Sequence, residues 1–161
     1  MAPRRVAIAA SMTLAVMLAG ACGQAPLPSR LAGLVRSRVL VGRQASRLLA
    51  RMHGREVAPA DTSVAEYGRS GSLRVWMSRY PDGATAQRTL AGMLSGMRQG
   101  KTPFVQPSED RFVPGRWTTV GLENHHVIWV SGRTLYWLEG PPDLVFRAAD
   151  ELPVPTVGRL A

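Results

Sequence analysis

The first 22 residues constrain this chain more than any other feature. Arg4 and Arg5 make a short positive start, Val6–Leu18 is a nearly unbroken apolar stretch, and Ala19, Gly20 and Ala21 lead to Cys22. Thirteen apolar residues fall short of the roughly 20 that a bilayer-spanning helix needs. The order positive, apolar, small is that of a secretory signal peptide, which is removed from the mature protein. Taking residues 1–21 from 161 leaves 140 to build the fold, enough for one domain with a single core.

The junction Leu18-Ala19-Gly20-Ala21-Cys22 resembles the lipobox of a bacterial lipoprotein precursor. That resemblance implies that Cys22 becomes the first mature residue and carries the lipid, and that the chain is held at the outer face of the cell membrane or at an outer membrane. It departs from the usual pattern in having Ala19 where Leu is common, with Leu18 one position earlier. Ala19-Gly20-Ala21 also fits the small-x-small site of ordinary signal peptidase, which would cut at the same bond and release a secreted protein. The chain's single cysteine lies at this bond, which favours lipidation and leaves no partner for an internal disulfide. Gly23, in the place where an Asp would favour inner-membrane retention, leans toward the outer membrane if the cell has one.

Charge divides the chain sharply. The net charge is +9, and residues 1–55 hold nine Arg and no acid. Residues 56–161 carry eleven basic and eleven acidic groups. The balanced part has no basic field to draw phosphates, so no nucleic-acid partner is expected. An apolar fraction of 45% excludes wholesale disorder.

Gly23–Ser29 contains two Pro and reads, with Cys22, as a tether over 22–29. Residues 30–54 read as one Arg-rich amphipathic helix stopped at Gly54. Leu31, Leu34, Val41, Ala45, Leu48, Leu49 and Met52 fall on one side, and Arg36, Arg43, Arg47 and Arg51 on the other. Gly33 and Gly42 weaken that helix, and Arg38, Val39 and Leu40 break its pattern. So close to a lipid anchor, the Arg row is a candidate membrane-surface contact.

Residues 55–155 read as an α+β domain. Strands are expected at Ser63–Tyr67, Leu73–Tyr80, Arg116–Leu122, His125–Val130 and Arg133–Glu139, the last two joined by a tight hairpin. One helix follows Asp82 as N-cap with Ala86, Leu90, Met93, Leu94 and Met97 inward; another follows Pro142 with Leu144, Val145, Ala148, Ala149 and Leu152 inward. Lys101–Gly115, with three Pro, is a long connection that could serve as a lid, and 156–161 reads as a loose tail. The sum is an antiparallel sheet of about four to five strands with helices packed on it, ferredoxin-like in spirit.

No phosphate loop, nucleophile elbow or Cys/His metal signature is present, and no metal or cofactor is expected. His125 and His126 would point to opposite faces of a strand. If the helices cover the side of Val75 and Met77, the other side presents Trp76, Tyr80, Trp129 and Tyr136 beside His125, an aromatic surface for an envelope protein, a hydrophobic ligand or a glycan. The alternative is a sheet buried on both sides. The expected function is therefore a tethered, non-catalytic binding or accessory module. Two others compete: a small envelope hydrolase using Glu123, His125 and Glu109 or Asp110 under the lid, and a domain that homodimerises through its sheet face.

Overall fold

The computed structural model describes residues 27–53, 59 and 61–157. The signal segment, Cys22 and residues 158–161 lie outside them. In chain order the elements are β1 (Arg30–Leu31), β2 (Leu34–Val41), α1 (Gly42–His53), β3 (Asp61–Tyr67), β4 (Leu73–Arg79), α2 (Gly83–Arg98), β5 (Ser108–Glu109), β6 (Trp117–Gly121), β7 (Asn124–Ser131), β8 (Thr134–Gly140) and α3 (Pro142–Glu151). The fold is α+β: the eight strands form one antiparallel sheet in the order β1-β2-β3-β4-β8-β7-β6-β5. Two up-and-down runs, β1 to β4 and β5 to β8, meet at the β4–β8 pair, and α2 begins the connection between them.

All five expected strands form, and three further strands enlarge the sheet. The ferredoxin-like comparison is not retained. Such a sheet interleaves its strands through helical crossovers, whereas here all but one of the neighbouring strands follow one another in the chain, in the order β1-β2-β3-β4-β8-β7-β6-β5.

The single helix expected over 30–54 is corrected by the structure. Residues 30–41 are a β-hairpin and its extension, and only Gly42–His53 is helical. The physical reason lies in the glycines that weakened the helix. Ala32 and Gly33 hold φ of 50° and 77° in the turn between β1 and β2, and Gly42 holds 54° where β2 gives way to α1. Positive φ at these points breaks a right-handed helix and suits a tight hairpin turn. Arg38, Val39 and Leu40, which interrupted the helical stripe, are with Val41 the strand itself, paired with β3 from Glu66 to Ser63.

Helices cover both faces of the sheet. On one side α1 packs over β2 and β3, and α2 over β7 and β8. Ala45 and Leu49 of α1, and Ala86, Leu90, Leu94 and Met97 of α2, join Val64, Trp76, Ile128, Val130, Leu135 and Trp137 there. On the other side Val145, Ala148 and Ala149 of α3, with Leu27, Leu31 and Ala32, cover Ala65, Tyr67, Val75, Met77, Val127, Trp129 and Leu138. Residues 27–41 therefore belong to the same core as 61–157. The Ala32 N–H donates to Glu151 at the end of α3 (3.0 Å), and the Tyr67 hydroxyl donates to the Pro28 carbonyl (2.9 Å).

Two loops behave unlike their sequence readings. The segment expected as a lid is built into the sheet edge: Val105 N–H donates to Val120 O at 2.8 Å, and β5 pairs with β6. Asp110 caps the following turn by accepting from Phe112 N and Val113 N. Arg116, 8% exposed, bridges Asp110 (2.7 Å) and Asp150 of α3 (2.6 Å). Burial alone would raise the Asp110 pKa, but these hydrogen bonds and the Arg116 charge outweigh it and hold the carboxyl below its usual range. The tail expected to be loose from 156 is tied at Thr156. Its N–H donates to Val130 O, its hydroxyl accepts from Gly132 N, and its carbonyl accepts from Gln87.

Replacing Arg116 with Ala leaves Asp110, itself nearly buried, without its counter-charge. A loss of about 3 kcal/mol is expected in chemical unfolding, together with faster amide exchange over residues 104–115. An unchanged midpoint would mean that the segment is held by its backbone pairing alone.

Candidate functional site

The pairing register decides what happens to the aromatic residues. The β7–β8 hairpin turns on two residues, with Ser131 opposite Thr134, so Trp129 faces the same way as Tyr136, and Ile128 the same way as Trp137. At the β4–β8 pair, Trp76 opposes Trp137 and Met77 opposes Tyr136. Opposed residues share a face. Trp76 and Tyr80 thus lie under α1 and α2, while Trp129 and Tyr136 lie on the α3 side with Val75 and Met77.

This corrects the reading of one open aromatic surface. The four rings sit on opposite faces, at 4% (Trp76), 5% (Tyr80), 0% (Trp129) and 7% (Tyr136) exposure. Trp129 stacks on Tyr136 with centroids 5.0 Å apart and donates its indole N–H to Pro153 O. The Trp76 indole N–H is buried with no hydrogen-bond partner. These are packing residues. Only His125 is partly exposed, opposite Val120 on the α3 side of the sheet.

The residues weighed for hydrolysis do not converge. Glu109 opposes Trp117 on the far side of β6, while His125 lies on β7 three residues from the Trp117 level. Two strand spacings and three strand residues put their backbones about 14 Å apart. Glu109 is occupied in accepting from Gly115 N (2.7 Å), and Asp110 is held by Arg116. Glu123 sits in the β6–β7 turn at φ 65°. Among the described residues no group of three or more His, Cys, Asp or Glu is placed to hold a metal ion.

His126, which the sequence reading left without a role, organises a buried polar cluster. It is 1% exposed on the α1/α2 side. The Trp137 indole N–H donates to its Nδ1 at 2.9 Å, and its Nε2 is 2.9 Å from Gly121 O. An acceptor at Nδ1 and a carbonyl at Nε2 require the neutral ring with its proton on Nε2. Phe104 meets both His126 and Trp137 edge to face, at 4.9 and 5.2 Å. Gly121 is needed here, because a Cβ would run into the Phe104 ring and the Pro103 carbonyl. Burial pushes the His126 pKa down; the Gly121 carbonyl and Glu139 pull the other way, and His125 adds to the depression. A cross-strand row carries on from His126 through Glu139 and Arg74 to Glu66, with Arg74 paired to both carboxylates.

The arginine row divides. Arg43, Arg47 and Arg51 are exposed along α1, opposite its buried Ala45 and Leu49. Among the described residues none of the three makes an ion pair within 4 Å. Arg36 is instead on β2, opposite Tyr67 on the α3 side, with its guanidinium donating to Leu27 O. Burial raises the Tyr67 pKa to about 12 against the opposing pull of Arg36. No described helix is long and apolar enough to cross a membrane.

The chain matches no protein-family model, no curated protein and no solved structure.

The His126 cluster makes a signed pH prediction. A histidine whose folded pKa lies below the unfolded value of about 6.5 binds fewer protons when native, so stability rises with pH across the gap. The stability contributed by this site is fully present above pH 6.5 and falls as the pH drops below it, by up to about 1.4 kcal/mol per pH unit until the folded pKa is reached. Urea titrations between pH 7.5 and 5 should show this fall, and it should shrink in His126→Gln. An equal slope in the variant would assign the acid sensitivity to the carboxylates.

Proposed function

We propose that this protein is exported, lipidated at Cys22, and works at an envelope membrane as a non-catalytic binding or accessory module. The observation that carries the reading is the burial of Leu27, 4% exposed in the core beneath α3. Only residues 23–26 then separate Cys22 from the folded domain. Five Cα steps span at most about 18 Å. A lipid on Cys22 would hold the domain against the bilayer rather than on a long leash.

The arginine-rich segment that follows the anchor in sequence suits such a position. Residues 27–53 carry six Arg and no acid. Arg30 and Arg38 are exposed on the strands, and Arg43, Arg47 and Arg51 on the face of α1 that turns away from the core. Each basic group near an anionic leaflet contributes about 1 kcal/mol, so the α1 row adds an electrostatic contact to the acyl anchor. Arg36 is not part of it, since its head is engaged with Leu27. A binding role is favoured over hydrolysis because the candidate carboxylates and His125 are dispersed. A sheet-face homodimer is disfavoured because both faces of the sheet already carry helices.

Intact mass and membrane fractionation of the natively expressed protein, beside Cys22→Ser, test the proposal. The expected result is a chain beginning at Cys22 with added acyl mass, recovered with membranes, and lost from them in the variant. An unmodified chain beginning at Cys22 and found outside the cell would sink it. For the surface contact, the Cys22→Ser chain should bind phosphatidylglycerol vesicles in a salt-sensitive way. Changing Arg43, Arg47 and Arg51 together to Gln should weaken that binding by about 3 kcal/mol, on the order of 100-fold. Equal binding of the two chains would remove α1 from the membrane contact.

A further inference from the structure

We infer that the outer edge of β2, from Arg38 to Val41, receives an extended acidic segment of a partner protein as an added strand. The two ends of the sheet are finished differently. At one end the outer edge of β6 is covered by β5 and by the Phe104–Val105 segment. At the other, β1 is two residues long and pairs only with Leu34 and Val35, with Arg36 N–H donating to Ser29 O. Past the irregularity between Arg36 and Arg38, the strand pairs with β3 alone. Among the described residues nothing pairs with its other side. An edge of this kind presents backbone N–H and C=O groups to a new strand.

Side chains favour a particular occupant. Val39 and Val41 share the α3 side of the sheet with Ala65 and Ser63, yet they are 43% and 61% exposed. They offer apolar contacts at alternate positions of an added strand. Arg38 precedes Val39 on the opposite, α1 side of the sheet, and Arg43 follows in the first turn of α1, both exposed. A second copy of this edge would bring arginines against arginines, because residues 27–53 hold no acid. A strand alternating apolar side chains with Asp or Glu complements the edge in both respects. The bulge at Ser37 limits the new pairing to the stretch beyond it. The inference does not depend on lipidation.

The test uses the full-length protein and a short fluorescein-labelled peptide of alternating Val and Glu, beside its Val/Lys counterpart and a version N-methylated at alternate backbone nitrogens. The acidic peptide should raise the anisotropy saturably and slow amide exchange in residues 38–41, while the Lys and N-methylated peptides should not. Arg38→Glu, at an exposed position, should weaken the acidic peptide at least about tenfold and admit the Lys peptide. No binding of the acidic peptide overturns the inference. So does binding that leaves the exchange of 38–41 unchanged or survives N-methylation, which would make the contact one of surface charge only. A concentration-dependent mass with the same amides protected in the absence of peptide would also overturn it, in favour of pairing between copies.

Discussion

The structure depends on the register of the β4–β8 pair. Arg74 to Arg79 lie opposite Glu139 to Thr134, joining two strand runs that are each locally built but otherwise separate. Side chains on a strand alternate between faces, so a slip of one residue here would turn one half of the sheet over relative to the other. Three interactions resist such a slip. Trp76 opposes Trp137 on one face, Met77 opposes Tyr136 on the other, and Arg74 binds Glu139 and Glu66 across the end of the pair. This alignment decides which face Trp76 and Tyr80 share with the aromatic residues of β7 and β8.

The strand order determines where the sheet is open. Because both faces bury large side chains, α1 and α2 are needed on one side and α3 on the other. Three helices cover the centre of eight strands well and the margins less well. One margin is closed by the segment from Phe104 to Glu109, tied down through Arg116 to α3. The other is the β2 edge, shielded only in its first residues. Arg30 on β1 and Arg38 on β2 lie on this margin, Leu27 packs on its α3 side, and Arg43, Arg47 and Arg51 follow on α1 across the sheet. Exposed arginine and open strand edge therefore meet on β2.

His126 illustrates a different kind of constraint. A neutral imidazole between the Trp137 indole and the Gly121 carbonyl joins β7, β8 and the end of β6 in the interior. Its acceptor and donor are both used, so the ring is locked in one tautomer and protonation would remove the acceptor that the indole needs. The Phe104 ring packed against it carries this constraint to the sheet margin.

Much of the local structure was legible in the residues. The Asp82 cap and the Ala86, Leu90, Leu94, Met97 stripe identified α2, and the alternation across Ser131–Thr134 identified the β7–β8 hairpin, because caps and periodicities are properties of neighbours in the chain. Export and lipidation were likewise read from local order alone, on residues outside those the structure describes. Two features were not legible. The run from Arg30 to Val41 carried a helical stripe and strand residues at once, and only pairing with β3 gave its backbone hydrogen bonds a destination. The aromatic residues belonged to strands some 60 positions apart in the chain, and their faces were decided by the β4–β8 register, which no local pattern encodes. Alternation says which residues of one strand agree with each other; only tertiary pairing says which agree with those of the next.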